Sequence, residues 1–338
     1  MHPAGPDILY SVQAVVIESL GGPEAARLGD FPAPTGSHER AKGERVVVDV
    51  HAAGLSVIDG LQTRGAYQYG TRVPYVLGSE VAGVVVESAS DSFAVGDRVG
   101  GIVFWGGVAE QCLVAPEYTV KLPDAMSYAD GAAVYLNYST AWFAYHRSGV
   151  QPGGTVLVQG AAGGVGTAAL DLAAAFGVRA IAVVSSDEKE EVARRAGAAE
   201  VVRSDRNWLA EVQRLTDGHG VDVVLDPVGG DRFVDSLRAL RTGGTLVVIG
   251  FVGGSIPEVK VNRLLLRNLT VTGISMDTMD AEYPGTLLQV RDAVQALLDA
   301  GRIHPIVGAT YPMERSADAL LALEQRSTLG KVVVEVRS

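Results

Sequence analysis

The stretch Thr155-Val156-Leu157-Val158-Gln159-Gly160-Ala161-Ala162-Gly163-Gly164-Val165-Gly166, followed by an Ala- and Leu-rich run to Phe176, decides the fold. It reads as an apolar strand (155–160) turning through glycines into a helix over 166–176, with Gly177 as the helix stop. The run departs from the literal G-x-G-x-x-G at Ala161, yet it has the context that motif requires, a strand before and a helix after. Glycines in such a turn let the backbone approach a pyrophosphate, whose charge then faces the N–H groups at the helix N-terminus. Ala162, Gly163, Gly164 and Val165 are therefore candidate cofactor-binding residues; the alternative is a tight strand-to-helix turn without a ligand. A nucleoside-triphosphate loop is excluded, because no Gly-Lys-Ser/Thr follows.

Downstream the alternation continues: a strand at 180–185, a helix over 187–196 stopped by Gly197, and a strand at 221–226. A helix near 231–240 and strands at 245–250 and 269–274 complete it. Strands alternating with helices make βαβ units and a doubly wound parallel sheet. Upstream the pattern is different. Strands at 12–18, 45–51 and 80–87 and the turn at 95–99 sit among turn formers, which predicts a compact β-barrel-like domain. A helical pattern spans 128–148, and after Asp277 a helix near 281–300 and a strand at 331–336 return to the first domain. The expected boundaries are thus 1–125 for the β-rich domain, 126–275 for the inserted dinucleotide-type domain, and 276–338 for the return.

The second strand of the alternation ends at Ser185-Ser186-Asp187-Glu188-Lys189, where an NAD site carries an acid for the ribose 2′-hydroxyl. Ser185 and Ser186 with Lys189, and Arg203 further on, form a donor set for a 2′-phosphate, which favours NADPH. In the competing reading Asp187 is a helix N-cap or the acidic NAD ligand, and Lys189 a solvated first-turn residue. Val228, Gly250 and Phe251 follow later strands, at the carboxyl ends where doubly wound sheets bind ligands.

Composition sets the outer limits. The chain has 338 residues, 47% hydrophobic and 20% charged, enough for about two domains, each with its own core. Its net charge of −11 and lack of Lys/Arg clusters argue against nucleic acid. No run reaches the roughly 18 apolar residues of a membrane span, so a soluble protein is expected. MHPAGPDILYSVQ lacks a basic region followed by a long apolar run, so we read a short flexible arm and no leader. The single cysteine, Cys112, excludes an intramolecular disulfide and fits a reducing, cytoplasmic setting. Cys112 reads as a small buried apolar residue, His51 as a solvated or core histidine, and the other histidines show no ligand spacing.

Eight blocks then carry a resemblance over nearly the whole chain: AAGLSVID (52–59), RGAYQ (64–68), VLGSEVAGVV (76–85), VGDRV (95–99), GGVAE (106–110), AAGGVG (161–166), DPVGG (226–230) and LGKVVV (329–334). In this order they resemble the quinone oxidoreductase and enoyl reductase branch of the medium-chain dehydrogenase/reductase superfamily. The resemblance implies a GroES-like catalytic domain with an inserted Rossmann domain, and an NADPH-dependent enzyme. It also implies Thr140 near the nicotinamide ribose, unless Thr140 is an ordinary helix residue, and Gly330 and Lys331 in a segment that returns to the cofactor. Homodimers are expected on the same ground, and from the apolar edge-strand candidate Leu269–Ile274.

Departures from the superfamily's zinc alcohol dehydrogenases matter as much. Ser56 and Ser79 stand where those enzymes carry Cys and His ligands, and the third ligand's stretch reads Tyr135-Leu136-Asn137-Tyr138. Zinc takes about three protein ligands of imidazole, thiolate or carboxylate type, so no metal is expected. Without zinc, hydride transfer to a hydrophobic conjugated acceptor, a quinone or an α,β-unsaturated carbonyl compound, is favoured over carbonyl reduction. Tyr67 matches a tyrosine that related enoyl reductases use as proton donor or orienting group; otherwise it is a turn aromatic and water supplies the proton. Ser56, where quinone oxidoreductases commonly carry Asn, is the second candidate catalytic residue. Phe104, Trp105 and Tyr69 are candidates for the substrate mouth. A competing function is an NADPH-binding protein of this fold with little catalysis, since fold does not fix function.

Overall fold

A computed structural model describes residues 11–68 and 70–337, so the amino-terminal arm and Tyr69 lie outside the described residues. Internal contacts part the chain into two compact units, Leu136–Ile306 and the chain on either side of it, which ends at Tyr135 and resumes at Val307. Both changes of unit fall later than 125 and 275. The second has a local cause: the His304 amide bonds to Asp171, in the helix after the glycine turn, at 2.7 Å, and its ring Nδ1 lies 3.1 Å from the same carboxyl group.

The inserted unit holds a six-stranded, all-parallel sheet. From one edge to the other its strands are Glu200–Arg203, Arg179–Val184, Thr155–Val158, Val221–Asp226, Leu240–Val248 and Thr270–Gly273. The order reverses beside Thr155–Val158, which puts the glycine turn at a switch point of the sheet. Its central strands are dominated by buried Val, Leu, Ile and Ala, as expected of a parallel sheet covered on both faces. Leu157, Ile181, Val183, Val224 and Leu246 meet Trp208, Leu209, Phe233 and Leu237 in one core.

The flanking unit is β-rich, as the GroES-like expectation requires. A three-stranded sheet joins Ser11–Ile17 to Ala26–Pro32 and Tyr75–Val76, and a larger mixed sheet centres on Val46–Leu55 and Glu80–Ser88. The returning strand Lys331–Glu335 pairs antiparallel with residues 52–55, inside the larger sheet.

Two helical expectations need correction. The pattern over 128–148 folds as two helices, Tyr128–Gly131 and Tyr135–Ser148. Between them the amides of Ala133 and Val134 bond to the carbonyls of Asp130 and Gly131, an i−3 tightening that interrupts the α-helical ladder. The helix near 281–300 likewise becomes Met276–Glu282 and Thr286–Asp299, parted by Gly285 in a left-handed conformation. Among the described residues no helix is long and apolar enough to cross a membrane.

Candidate functional site

In the inserted unit the helix after the turn runs Gly164–Ala175, with Gly163 as N-cap, no side chain capping it and no acid in its first turn. Its first N–H groups have no partner within the helix, and the positive end of the helix dipole lies with them. Gly160 makes the turn at φ +59, and a Cβ there would meet Val228 Cγ2 at 3.1 Å. Gly166 is demanded by close packing: a Cβ would lie 2.4 Å from the Gly160 carbonyl oxygen and 2.7 Å from Ala161 Cα. Ala162 is buried, while Gly163, Gly164 and Val165 are half-buried around the helix start. A glycine cradle with an uncapped helix end fits the pyrophosphate of a dinucleotide.

The second cluster follows the strand Arg179–Val184. Ser186 is the N-cap of the helix Asp187–Arg195 and accepts from the Lys189 amide, so the cap is one residue earlier than Asp187. Lys189 Nζ donates to Ser185 Oγ at 3.3 Å, and Arg203 Nη2 donates to the Ser185 carbonyl at 3.3 Å. Arg203 also bonds Asp187 and, at 2.9 Å, Asp205. Its Nε is buried without a partner among the described residues. The structure thus gathers Ser185, Ser186, Lys189 and Arg203 in one place, although 14 residues separate the last two in sequence. Two cations and two hydroxyls fit the donor set of a phosphate group. Asp187 stands 94% exposed against the guanidinium, a weak contact in water.

At the ends of the next strands, Asp226 bonds the amides of Val228 and Gly229 through one carboxyl oxygen at 2.9 Å each. Its other oxygen is buried without a partner among the described residues, and burial pushes the carboxyl above its ordinary range. The Val252 and Gly253 amides bond the carbonyls of Pro227 and Val228, which ties the Gly250-Phe251 loop to Val228 and so to the glycine turn. Asn137 lies against Gly164, where an added Cβ would stand 2.8 Å from its Nδ2. Thr140, one turn on, donates its hydroxyl to the Leu136 carbonyl at 2.7 Å.

The flanking unit holds a different cluster. Ser56 is the N-cap of the helix Val57–Thr63 and forms a capping box with Asp59. One oxygen of Asp59 accepts from the Ser56 amide at 2.7 Å, the Ser56 hydroxyl at 3.0 Å and the Ser79 hydroxyl at 2.8 Å. Asp59 is fully buried, and its second oxygen has no partner among the described residues. Burial raises its carboxyl pKa; the bonds from Ser79 and Ser56 and the charge of Lys331 pull it partly back. Beside it Lys331 Nζ meets Glu80 Oε2 at 2.6 Å, with the two side chains 3% and 0% exposed. Lys331, which the resemblance assigned to the cofactor, is here committed to a buried ion pair within its own unit. Gly330 turns the chain into its strand at φ 63. Tyr67 is half-buried in a turn whose carbonyl accepts from the Gly70 amide.

Hydroxyls that donate to a single carboxylate oxygen are not a zinc donor set. Among the described residues, no group of three His, Cys, Asp or Glu side chains is arranged to hold a metal. Phe104 takes the left-handed conformation at φ 63, its amide on the Ser79 carbonyl, and carries the 39%-exposed Trp105 beside this cluster. Cys112 is buried, and burial pushes its thiol up to about 12. It is therefore inert as a nucleophile. Native protein is expected to resist iodoacetamide at neutral pH and to react only after unfolding; modification of the folded chain at the rate of a free thiol would contradict this.

Two family models match the chain, an alcohol dehydrogenase GroES-like domain over residues 42–124 and a zinc-binding dehydrogenase over 164–293. Quinone oxidoreductase-like protein 2 of Rattus norvegicus is 37% identical over 311 residues, spanning 90% of this chain and 87% of the relative. The chain belongs to the quinone oxidoreductase branch of the medium-chain dehydrogenases/reductases. Among solved structures, a probable oxidoreductase from Mycobacterium abscessus is similar at TM-score 0.85 and 37% identity, covering 98% of this chain and 100% of that one. The quinone oxidoreductase of Thermus thermophilus, solved alone and with NADPH, is similar at TM-score 0.81 and 34% identity, covering 96% and 99%. The medium-chain fold, with its GroES-like and Rossmann-like parts, agrees with the architecture described above. The family's zinc-binding label sits against a donor set in this chain that zinc does not favour.

Sequence reasoning missed Asp59, Glu80 and Asp226 as site residues. Asp59 carried a readable signal, since it stands three residues after Ser56 in a capping-box pattern. Glu80 carried none, because its partner is 251 residues away.

Proposed function

We propose that this oxidoreductase uses NADPH to reduce a quinone or an α,β-unsaturated carbonyl compound, without zinc. The observation that carries the reading is the convergence of Lys189, Arg203 and the Ser185 hydroxyl one strand away from an uncapped glycine helix. The solved relative from Thermus thermophilus that binds NADPH supports it. When bound, the nicotinamide supplies the hydride. Gly163, Gly164 and Val165 hold the pyrophosphate through backbone N–H groups, and Ala162 completes the cradle. Lys189 and Arg203 would hold the 2′-phosphate, and Val228, Gly250, Phe251 and Thr140 would serve the nicotinamide half. Tyr67, as a phenol, donates a hydrogen bond to the oxyanion that develops on the acceptor.

The test is oxidation of NADPH with 1,2-naphthoquinone or a crotonyl thioester as acceptor. Turnover with either, much faster than with NADH, is expected; saturable NADPH binding with no turnover by any acceptor would favour a binding protein instead. Lys189→Glu tests the phosphate grip. Losing one charge-assisted bond costs about 1.5–3 kcal/mol, so the NADPH Kd rises roughly ten- to a hundredfold while NADH is little affected. Equal loss for both cofactors would remove Lys189 from the phosphate site.

We propose homodimers through the edge strand Thr270–Gly273, which follows a segment with Val261, Leu265 and Leu266 each about three-quarters exposed. Sedimentation as a dimer at micromolar concentration is expected; a monomer would contradict it.

A further inference from the structure

The cluster around Ser56 contains a group the reaction scheme has not used. Asp59, itself fully buried, gathers three donors on one carboxyl oxygen and none on the other, while Ser56 beside it is half-buried. Ser56 Oγ accepts from the Ile58 amide at 3.2 Å and has a single proton, whose nearest acceptor is Asp59 Oδ2 at 3.0 Å, with Ser79 Oγ at 3.4 Å. A hydroxyl bound to an ionised carboxylate is held about twice as strongly as one bound to a neutral acceptor. With Asp59 ionised, the Ser56 proton is therefore locked away from any substrate.

We propose that Asp59 is a positioning residue that governs Ser56, and that the competent enzyme is the form in which Asp59 carries a proton on its unpartnered oxygen. In that form the Ser56 hydroxyl is released to donate to the oxyanion developing on the acceptor, supplementing Tyr67. No net proton leaves Asp59 in this step; Ser56 contributes a hydrogen bond, not a transferred proton. The inference rests on the proposed reduction of a conjugated acceptor.

The surroundings agree. The groups that face Asp59 are the Ser56 and Ser79 hydroxyls, the Lys331 ammonium from the returning strand, and the Tyr75 phenol from the strand Tyr75–Val76. Lys331 favours the ionised form, but its charge is matched at 2.6 Å by Glu80. The Tyr75 hydroxyl is also buried without a partner among the described residues. Burial is the dominant influence on Asp59 and favours the neutral carboxyl, so the competent form persists above the ordinary carboxylate range.

The test combines kinetics and infrared spectroscopy on the full-length protein. The kcat of the wild type is expected to fall as pH rises through the ionisation of Asp59. Asp59→Asn, which cannot ionise, loses that falling limb. Ser79→Ala removes a donor that stabilises the carboxylate, so the limb moves to higher pH; this milder variant decides the matter if the first does not fold. A limb unchanged in both variants overturns the proposal, and a purely structural Asp59 would alter rate or stability without reshaping the profile. Infrared difference spectra keep the answer independent of turnover. A protonated-carboxyl band that titrates in the wild type and is missing from Asp59→Asn is expected, and its absence at every pH overturns the proposal. Failure of all acceptors with that band present would instead sink the proposed reaction and leave the state of Asp59 established.

Discussion

Lys331→Met is expected to destabilise the protein by about 3–5 kcal/mol, because it leaves the Glu80 carboxylate in the interior without its ammonium. Both members of the pair are buried, at 3% and 0% exposure, so water cannot take the place of the missing charge. Against a typical total stability of roughly 5–15 kcal/mol, the loss is large enough to lower soluble yield. Adding Glu80→Gln to Lys331→Met removes the carboxylate that Lys331 faced and is expected to restore part of the stability. Urea unfolding of the two single variants and the double variant measures the coupling. A cost below about 1 kcal/mol for Lys331→Met, the range of surface pairs, would show that the pair is hydrated. The pair fastens the last strand to the sheet opened by Val46–Leu55 and Glu80–Ser88, which is why the GroES-like unit needs both ends of the chain.

Gly166→Val carries the second large effect, on binding. The contacts a Cβ would make are to backbone atoms, the Gly160 carbonyl oxygen at 2.4 Å and Ala161 Cα at 2.7 Å, and neither is a side chain that can swing aside. The turn must open, and the helix N-terminus moves away from where a pyrophosphate would rest. A rise in the NADPH Kd of at least about a hundredfold, or roughly 2.7 kcal/mol, is expected. Far-UV circular dichroism of the variant should keep the helix content of the wild type. Unchanged NADPH affinity in a folded variant would detach the cofactor from this turn.

The alternating half of the fold was legible because its central strands are short, mostly apolar runs set off by turn formers, as Thr155–Val158 is by Gly154 and Gly160. Strands such as Ala26–Pro32 were not, since ARLGDFP has no β-branched residue and forms by pairing with Ser11–Ile17. The glycine turn was legible from local spacing alone. The cluster of Ser185, Lys189 and Arg203 was half legible: the residue types were readable, but their meeting depends on the parallel register of Val184 with Arg203. The partner of Lys331 was not legible, because nothing local in LGKVVV marks a lysine that folding buries against Glu80. Ser56 was read by its counterpart in relatives, whereas its own hydrogen bonds make it first a helix cap.

The measurement that bears most directly on this account is a titration of the purified protein with NADPH, followed through the fluorescence of the reduced nicotinamide. Saturable binding at one equivalent per chain, weakened by added 2′-phosphorylated adenosine nucleotide, is the predicted result. A fluorescence that stays that of free NADPH throughout the titration would contradict it.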